Sequence, residues 1–570
     1  MQAAATQTWG PTYTAHTRVI RLFPSLVDFA FILPIFLLFR FLSGTKRLLT
    51  DGDTGWHIRT GQWILQHGAV PRTDLFSFTK PHDAWFAWEW GWDVIFAAIH
   101  QFWGLAGVAF VNACLLCCIS ALLFHLIRRC CGNDLLSLLF TLIAVCGSTI
   151  HWLARPHLLS WIFVLIVLHV FVSAERGKVN LLWWLPLLTA FWTNLHGGFF
   201  LAIVMVLTAA LGAAAGGFAR QHTQAGSWSS AGAKAKPYLL CAAGCAAATL
   251  INPYTWRLHQ HVFSYLRDAR LLDHISEFQS VSFHHGGALF FECMLLVGIG
   301  SAWWCLGRGK FTPALLIVLF AHLALLYGRN IPLFLLVASP WAAYTVRGVL
   351  HRVKWAPGFE RWAAAVADIS HDLRAFERVG RLHLASALAV LLVAALFAAG
   401  RPGFEAQFDP KQFPIEAVPS LTAVSKSRIF TYDQWSDYMI YRFFPDTKVF
   451  MDGRSDFYGS DFVDTYLAIV NGGYNWESDL KRFRVDTVVL KPDAPLATVL
   501  KQSPNWKLLF DNGTAIVFTN SPQATAGRAA ASAPARLSPV SHDGGNESEV
   551  LTKPRRGSNS KFKNYERRSL

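Results

Sequence analysis

The sequence predicts a polytopic α-helical membrane protein of about eleven spanning helices, followed by a C-terminal α/β domain outside the membrane. Three observations predict it. The 570 residues are 53% hydrophobic and only 15% charged, where a soluble chain carries about 25% charged residues, and the mean hydropathy is +0.32. Charges are sparse up to about Gly400 and ordinary beyond it, which divides the chain into a membrane part and a soluble part. Basic residues recur in every second connection between apolar runs, the pattern that sets the orientation of membrane helices.

Taken in order, residues 1–21 form a cytoplasmic N-terminus. Residues 22–400 form the transmembrane domain, with a first outer loop at 43–103, and residues 401–520 form the outer α/β domain. Residues 521–570, rich in Ala, Ser, Pro and basic residues, form a disordered basic tail. The first span, Leu22 to Leu42, is preceded by no small-residue cleavage site and reads as an uncleaved anchor. Further spans centre near Leu115, Leu142, Ile166, Leu188, Val206, Ala243, Leu296, Leu319, Leu336 and Val393.

The cytoplasmic connections hold Arg128 and Arg129, Arg176 and Lys178, Arg220, Lys234 and Lys236, Arg308 and Lys310, and Arg347, Arg352 and Lys354. Glu360 to His383 has the pattern of an amphipathic helix on that surface. In the outer domain RIFTY, KVFMD and VDTVVL read as strands and DQWSDYMIYRF, DFVDTYLAIV and WESDLKRF as helices. WKLLFDNGTAIVF reads as a hairpin turning at Asn512-Gly513.

The formal charge of +15 does not imply nucleic acid, because the basic residues mostly flank apolar runs, where topology requires them. All ten cysteines lie in or beside apolar stretches and none in the outer domain, which argues against a disulfide framework. The spans carry few acids, whereas ion-coupled transporters keep ionisable groups near the midplane.

Chemistry-capable residues gather in the outward loops. About a dozen of the 21 histidines fall there, a clustering that hints at a site. The first loop begins TDGDTGWHIRTGQWILQHGAVPRTDLFSFT. Asp51 and Asp53 follow the first span directly, and a helix from about Thr54 to His67 puts His57 one turn from Asp53 with Arg59 close by. Such a group suits general-base work and phosphate binding. Asp53 alone would serve as an N-cap, but capping needs no second acid. WFAWEWGW reads as an interfacial aromatic helix, with Glu89 and Asp93 its acids. The short outer loops add Arg155 and His157, Asn194 and His196, and Arg329. Arginines outside run against the positive-inside rule, so Arg155 and Arg329 ask for an anionic partner, a lipid phosphate or a headgroup. Asp452, in MDGRSDFYG, reads as part of a polar turn after a strand.

An acid pair after the first span, an outward loop with helices, many spans and an outer C-terminal domain together resemble the GT-C superfamily of membrane glycosyltransferases, which use polyprenyl-phosphate sugars and include oligosaccharyltransferases and protein mannosyltransferases. DGDTGWHIRTG is similar to that superfamily's acidic first-loop motif, and NLHGG and DQWSDYMIYRFFPDTKVFMDGRSDFYG look like parts of an uncharacterised bacterial branch. The resemblance implies a hexosyltransferase on the outer face of a bacterial cytoplasmic membrane. It would move a sugar, with inversion, from a polyprenyl-phosphate lipid to a glycan, lipid or protein acceptor. It puts the catalytic base or metal-ligand role on Asp51 or Asp53. Arg59, Arg155 and Arg329 become candidates for the donor phosphate, and His57, Glu89, His157, Asn194 and His196 for supporting roles. The cofactor stays open, with magnesium or manganese the candidates. Two departures matter. Trp435-Ser436-Asp437-Tyr438 stands where oligosaccharyltransferases carry WWDYG, which leaves peptide-sequon recognition open. HWLARPH has no acid where they carry an acidic pair, which leaves a bound metal open. The alternatives are a non-catalytic protein of the same fold that binds lipid-linked sugar or scaffolds envelope assembly, and a transporter.

Overall fold

In the computed structural model of the chain, residues 19–219, 227–284, 286–352, 357–422 and 427–520 are described. The expected cytoplasmic segment before Val19, the basic positions Arg220 and Lys354, and the tail after Asn520 lie outside them.

A helix occupies each of the eleven positions where an apolar run predicts one. Among the described residues six are long and apolar enough to cross a membrane: Trp90–Cys131, Asp134–His151, His157–Glu175, Gly197–Ala219, Leu289–Leu306 and Gly328–Leu350. Val179–Thr193, Phe311–Leu326 and Leu384–Ala398 are apolar but shorter. The first helix is Leu26–Phe41, shorter than the apolar run, because Ser25 caps it: the Ser25 hydroxyl accepts from Asp28 N–H while the Asp28 carboxylate accepts from Ser25 N–H at 2.8 Å. The amphipathic stretch after Lys354 is helical over Pro357–Phe376.

The helices share one large apolar core. Leu26–Phe41 and Ile331–Leu350 both pack along Trp90–Cys131, and Leu123, Leu126, Ile127, Phe334 and Leu335 are fully buried there. Trp90–Cys131 turns at Gly104, whose φ of 59° lies in the left-handed region open to glycine.

The C-terminal domain holds one four-stranded sheet: β1 (Ile429–Thr431), β2 (Thr487–Leu490), β3 (Trp506–Asp511) and β4 (Ile516–Asn520), in the order β1-β2-β4-β3. β1 and β2 are parallel, with Phe430 opposite Val488; β4 pairs antiparallel with both β2 and β3. The β3–β4 hairpin turns through Gly513, at φ 81°. Strand alternation divides the inward side chains between two faces. Phe430, Val488 and Phe518 enter a core with Tyr466 and Leu496. Ile429, Val489 and Val517 enter a second core with Trp56, Phe76 and Trp85 from the first outer loop. The sheet is thereby cemented to that loop.

Two sequence expectations are corrected. KVFMD is not a strand: Val449 makes only isolated parallel bridges, to Ser77 and Ile429, because the first loop runs beside it for a single residue. WFAWEWGW is not an interfacial helix: the helix starts only at Trp90, and Trp85 and Trp92 are buried under the outer domain and the Asp53–His67 helix. The three outer-domain helices form, over Asp433–Phe443, Ser460–Val470 and Trp476–Arg482.

Candidate functional site

The first-loop helix runs from Asp53 to His67, one residue earlier than the sequence suggests, and ends at Gly68 in the left-handed conformation. Gly52, not Asp53, is the capping position; Asp51 Oδ1 accepts from Asp53 N–H at 3.0 Å and so satisfies one of the helix's free donors. The Asp53 side chain is therefore spared from capping.

The glycines of DGDTG admit a second helix. A Cβ on Gly52 would meet Asp437 Cβ at 2.9 Å, and one on Gly55 would meet the Asp437 carbonyl oxygen at 2.5 Å and Tyr441 Cβ at 2.9 Å. The Asp433–Phe443 helix thus lies directly against the Asp53–His67 helix. Gln434 Oε1 accepts from Gly52 N–H at 2.7 Å. Asp437 Oδ1 accepts from Gly453 N–H at 3.0 Å, while Asp437 Oδ2 is buried with no donor. A Cβ on Gly453 would collide with Asp53 Oδ1 and come within 2.7 Å of Asp437 Oδ2, so the two carboxyl groups face each other across that glycine.

Arg155 completes the cluster from about a hundred residues away in the chain. Its segment is pinned to the first loop: Ala154 N–H donates to the Leu48 carbonyl at 2.9 Å, and the Thr54 hydroxyl donates to the Ala154 carbonyl at 3.2 Å. The guanidinium then reaches Asp51 Oδ2 at 2.9 Å, Glu277 Oε1 at 2.6 Å and Asp53 Oδ2. Glu277 comes from the Ser276–Phe278 turn, and Arg329 Nη1 stands 3.6 Å from its other oxygen. Gly328 N–H donates to the Gln279 carbonyl at 2.8 Å and holds those two segments together.

Burial governs the protonation of these groups. It pushes Asp51 up to about 7, against the pull of Arg155 and with the help of Asp53 and Glu277. Asp53, Asp433 and Asp437 are also raised, burial being the main cause in each. Glu277 goes the other way: burial opposes its charge, but Arg155, His151 and Arg329 hold its carboxyl below the ordinary range. Arg155 stays protonated despite burial because Asp51, Asp53, Glu277 and Glu89 surround it.

A second polar chain borders the first. His57 is buried, its Nδ1 2.5 Å from Asp93 Oδ1 and its Nε2 3.7 Å from Glu89. Glu89 stands 3.7 Å from His196 Nε2, and His196 Nδ1 meets the Ser160 hydroxyl at 2.7 Å. Burial, then Arg155 and His196, keep His57 well below its ordinary value, and burial brings His196 to about 3, so both rings are neutral. Burial lifts Glu89 to about 7. Glu89 and Asp93 are thus buried partners of histidines, not the incidental acids of an interfacial helix.

The structure brings together Asp51, Asp53, Arg155 and Arg329, with His57, Glu89 and His196 behind them. It does not bring Arg59 to them: that guanidinium donates to the Tyr441 carbonyl and, at 2.8 Å, to Gln62. His57 shares the first-loop helix with Asp53 but turns toward Asp93. His157 bonds the His151 carbonyl at 3.0 Å. Asn194 is a structural pin, accepting from Trp90 Nε1 at 2.9 Å and donating to the Ile251 carbonyl at 2.7 Å. Sequence reasoning missed Glu277, Asp433 and the role of Asp437. Asp437 had a signal, since it sits in the Trp435–Tyr438 stretch; Glu277 had none beyond its outer loop.

Asp51, Asp53, Asp433 and Asp437 are all oxygen donors, the kind magnesium and manganese prefer. The space between Asp51 and Asp53 is nevertheless filled by the Arg155 guanidinium, a fixed positive charge that would repel an added cation. Among the described residues no group of three or more His, Cys, Asp or Glu is arranged to hold a metal ion. The arrangement does not fit a metal between those two acids.

No family model matches the sequence, and no curated protein matches it. Solved structures do match in fold. The oligosaccharyltransferase AglB from Archaeoglobus fulgidus, in complex with an inhibitory peptide and a dolichol-phosphate, aligns at 12% identity and a TM-score of 0.50 over 90% of this chain and 75% of that one. The A. fulgidus oligosaccharyltransferase tethered to an acceptor peptide containing the NVT sequon aligns at 12% identity and a TM-score of 0.49 over 88% and 74%. The chain is a helical integral membrane protein that shares the fold of AglB.

Proposed function

We propose that this chain is a membrane glycosyltransferase of the GT-C type, moving a sugar from a polyprenyl-phosphate donor to an acceptor hydroxyl on the outer face of a bacterial cytoplasmic membrane. On this reading about eleven helices span, the N-terminus is cytoplasmic and the sheet domain lies outside. The observation that carries it is the buried acid pair Asp51 and Asp53 at the start of the Asp53–His67 helix, both raised by burial and flanked by Arg155 and Arg329. Acids serving only as surface anchors would face bulk water and keep ordinary pKa values.

The chemistry follows from the charges. An ionised carboxylate of the pair takes the acceptor's hydroxyl proton. The acceptor oxygen attacks the anomeric carbon from the side opposite the phosphate, forming a new C–O bond as the bond to phosphate breaks. The configuration inverts, and the polyprenyl phosphate leaves with the bonding electrons. Arg155 and Arg329 converge on one point, now taken by the Glu277 carboxylate, and suit that developing charge. Arg59, bound to the Tyr441 carbonyl, is left to hold the Asp433–Phe443 helix in place. The neighbouring acid Asp437 shares a side-chain hydrogen bond with Asp53 that favours the ionised Asp53 carboxylate against the upward push of burial.

The test is native mass spectrometry of the detergent-purified protein beside the Asp51→Asn/Asp53→Asn double variant. A sugar-loaded polyprenyl phosphate on the variant and only spent phosphate on the wild type is the expected result, and the mass names the sugar. Absence of any isoprenoid from both removes the donor. Sugar transfer at the wild-type rate by both single variants and the double variant removes the catalytic role and favours a non-catalytic binder of lipid-linked sugar.

A further inference from the structure

Resting on the reading of Asp51 and Asp53 as the reaction centre, we infer that Arg155 is the built-in cation of that centre and holds the position a divalent metal would need, so the site works without one. Four observations carry this. The guanidinium contacts both acids of the pair, one on each arm. Its backbone is fastened to the first loop on both sides of Ala154, so the charge arrives at a defined place and not at the end of a free tether. Its Nη1 also meets Glu277, and Arg329 shares that carboxylate, so Arg155 bridges the acid pair and a second anionic group. A metal ion bridging acidic ligands and a substrate phosphate has the same arrangement.

Removing the guanidinium would leave Asp51 and Asp53 facing Asp433 and Asp437, and Asp437 Oδ2 already lacks a donor. Without that counter-charge, the repulsion that keeps a hard divalent ion away from the Asp51 and Asp53 oxygens is gone, and carboxylate oxygens are the ligands such an ion prefers. Arg155→Gln is therefore expected to turn a metal-free site into a manganese site.

The experiment titrates full-length protein in detergent with manganese chloride. It follows the free-ion electron paramagnetic resonance signal and the thermal unfolding midpoint, with no donor present. Wild type is expected to bind no manganese at sub-millimolar concentration. Arg155→Gln is expected to bind about one equivalent and to unfold at a higher temperature with manganese than without. Arg155→Gln/Asp53→Asn should lose that binding, and Arg155→Lys, which keeps a charge, should behave as wild type. If Arg155→Gln is recovered only when purified in manganese, that counts as the expected gain. Manganese bound by wild type and lost in Asp53→Asn overturns the inference. So does an Arg155→Gln protein that binds none, or that is not recovered even in manganese while Arg155→Lys folds. Because no sugar transfer is read, the cation assignment and the transferase reading fail separately.

Discussion

Two arginines in this protein each gather buried carboxylates, and they differ in what is left over. Arg454 is 2% exposed and donates to Asp452 Oδ1 and Oδ2 at 2.7 Å and to Asp74 at 2.6 Å. The Tyr458 hydroxyl also donates to Asp452 Oδ2 at 2.9 Å, and the guanidinium lies over Trp85 at 4.4 Å and Phe76 at 4.8 Å. Arg155 also binds carboxylates, but its side chain is 23% exposed, and the acids around it include Asp437 with an oxygen lacking any donor. The first cluster ties the first loop to the C-terminal domain and is shut off from solvent, its arginine and acid side chains being 1% exposed or less, although Arg454 Nη1 has no hydrogen-bond partner. The second is partly exposed, and burial there holds Asp51 and Asp53 raised. A buried ion network sealed from solvent fastens a fold, whereas one reached by solvent can do chemistry.

The sharpest way to break this comparison is to remove each arginine. Arg454→Ala leaves Asp74 and Asp452 buried without a counter-charge, a loss on the order of 3–5 kcal/mol. It should appear as poor recovery or a strongly lowered thermal midpoint, and an unchanged midpoint would deny that the cluster is a fastener. Asp53→Asn should do the reverse. It should lower sugar transfer by about a hundredfold or more while lowering the midpoint less than Arg454→Ala does, since Asp51 and Glu277 still pair with Arg155. A large fall in the midpoint would make Asp53 structural.

The pH dependence gives a smaller effect with a definite sign. Asp51 and Glu89 are raised to about 7, so the folded chain keeps protons that the unfolded chain has released. Their stability contribution is fully present below the ordinary carboxylate range and is lost as pH rises toward about 7. Transfer should climb over the same window, because the base must ionise. Glu89→Gln should flatten part of the stability slope, measured by thermal unfolding from pH 5 to about 8. A slope the substitution leaves unaltered would take Glu89 out of that balance. The smallest expected effect is from Arg59→Gln, a few-fold loss in transfer without loss of donor binding, since Arg59 supports only the Asp433–Phe443 helix. Loss of donor co-purification would return Arg59 to the phosphate.

Much of the fold was legible because it is local. The Asp53–His67 helix ends at Gly68 as its glycine predicts, and the β3–β4 hairpin turns at Asn512-Gly513. The acids Asp51 and Asp53 stood out because they follow an apolar run directly. The apolar Leu22–Leu42 run begins as helix only at Leu26, since Ser25 and Asp28 cap each other, a detail of side-chain geometry. Glu89 and Asp93 looked like surface acids because a sequence window of aromatics does not reveal what covers it. Here the cover is His57 on one helix and His196 from another loop.

The sequence by itself determined the elements that depend on neighbours a few residues apart: the apolar helices, their caps and turns, and the acid pair Asp51 and Asp53. Tertiary structure alone decided which charge meets which. Arg59, six residues from Asp53, looked the nearer partner, yet helix geometry points it at Tyr441. Arg155, about a hundred residues away, is bolted beside both acids through Ala154. Ion pairing depends on distances through space and on exclusion of water, and neither is written in the spacing of residues along a chain.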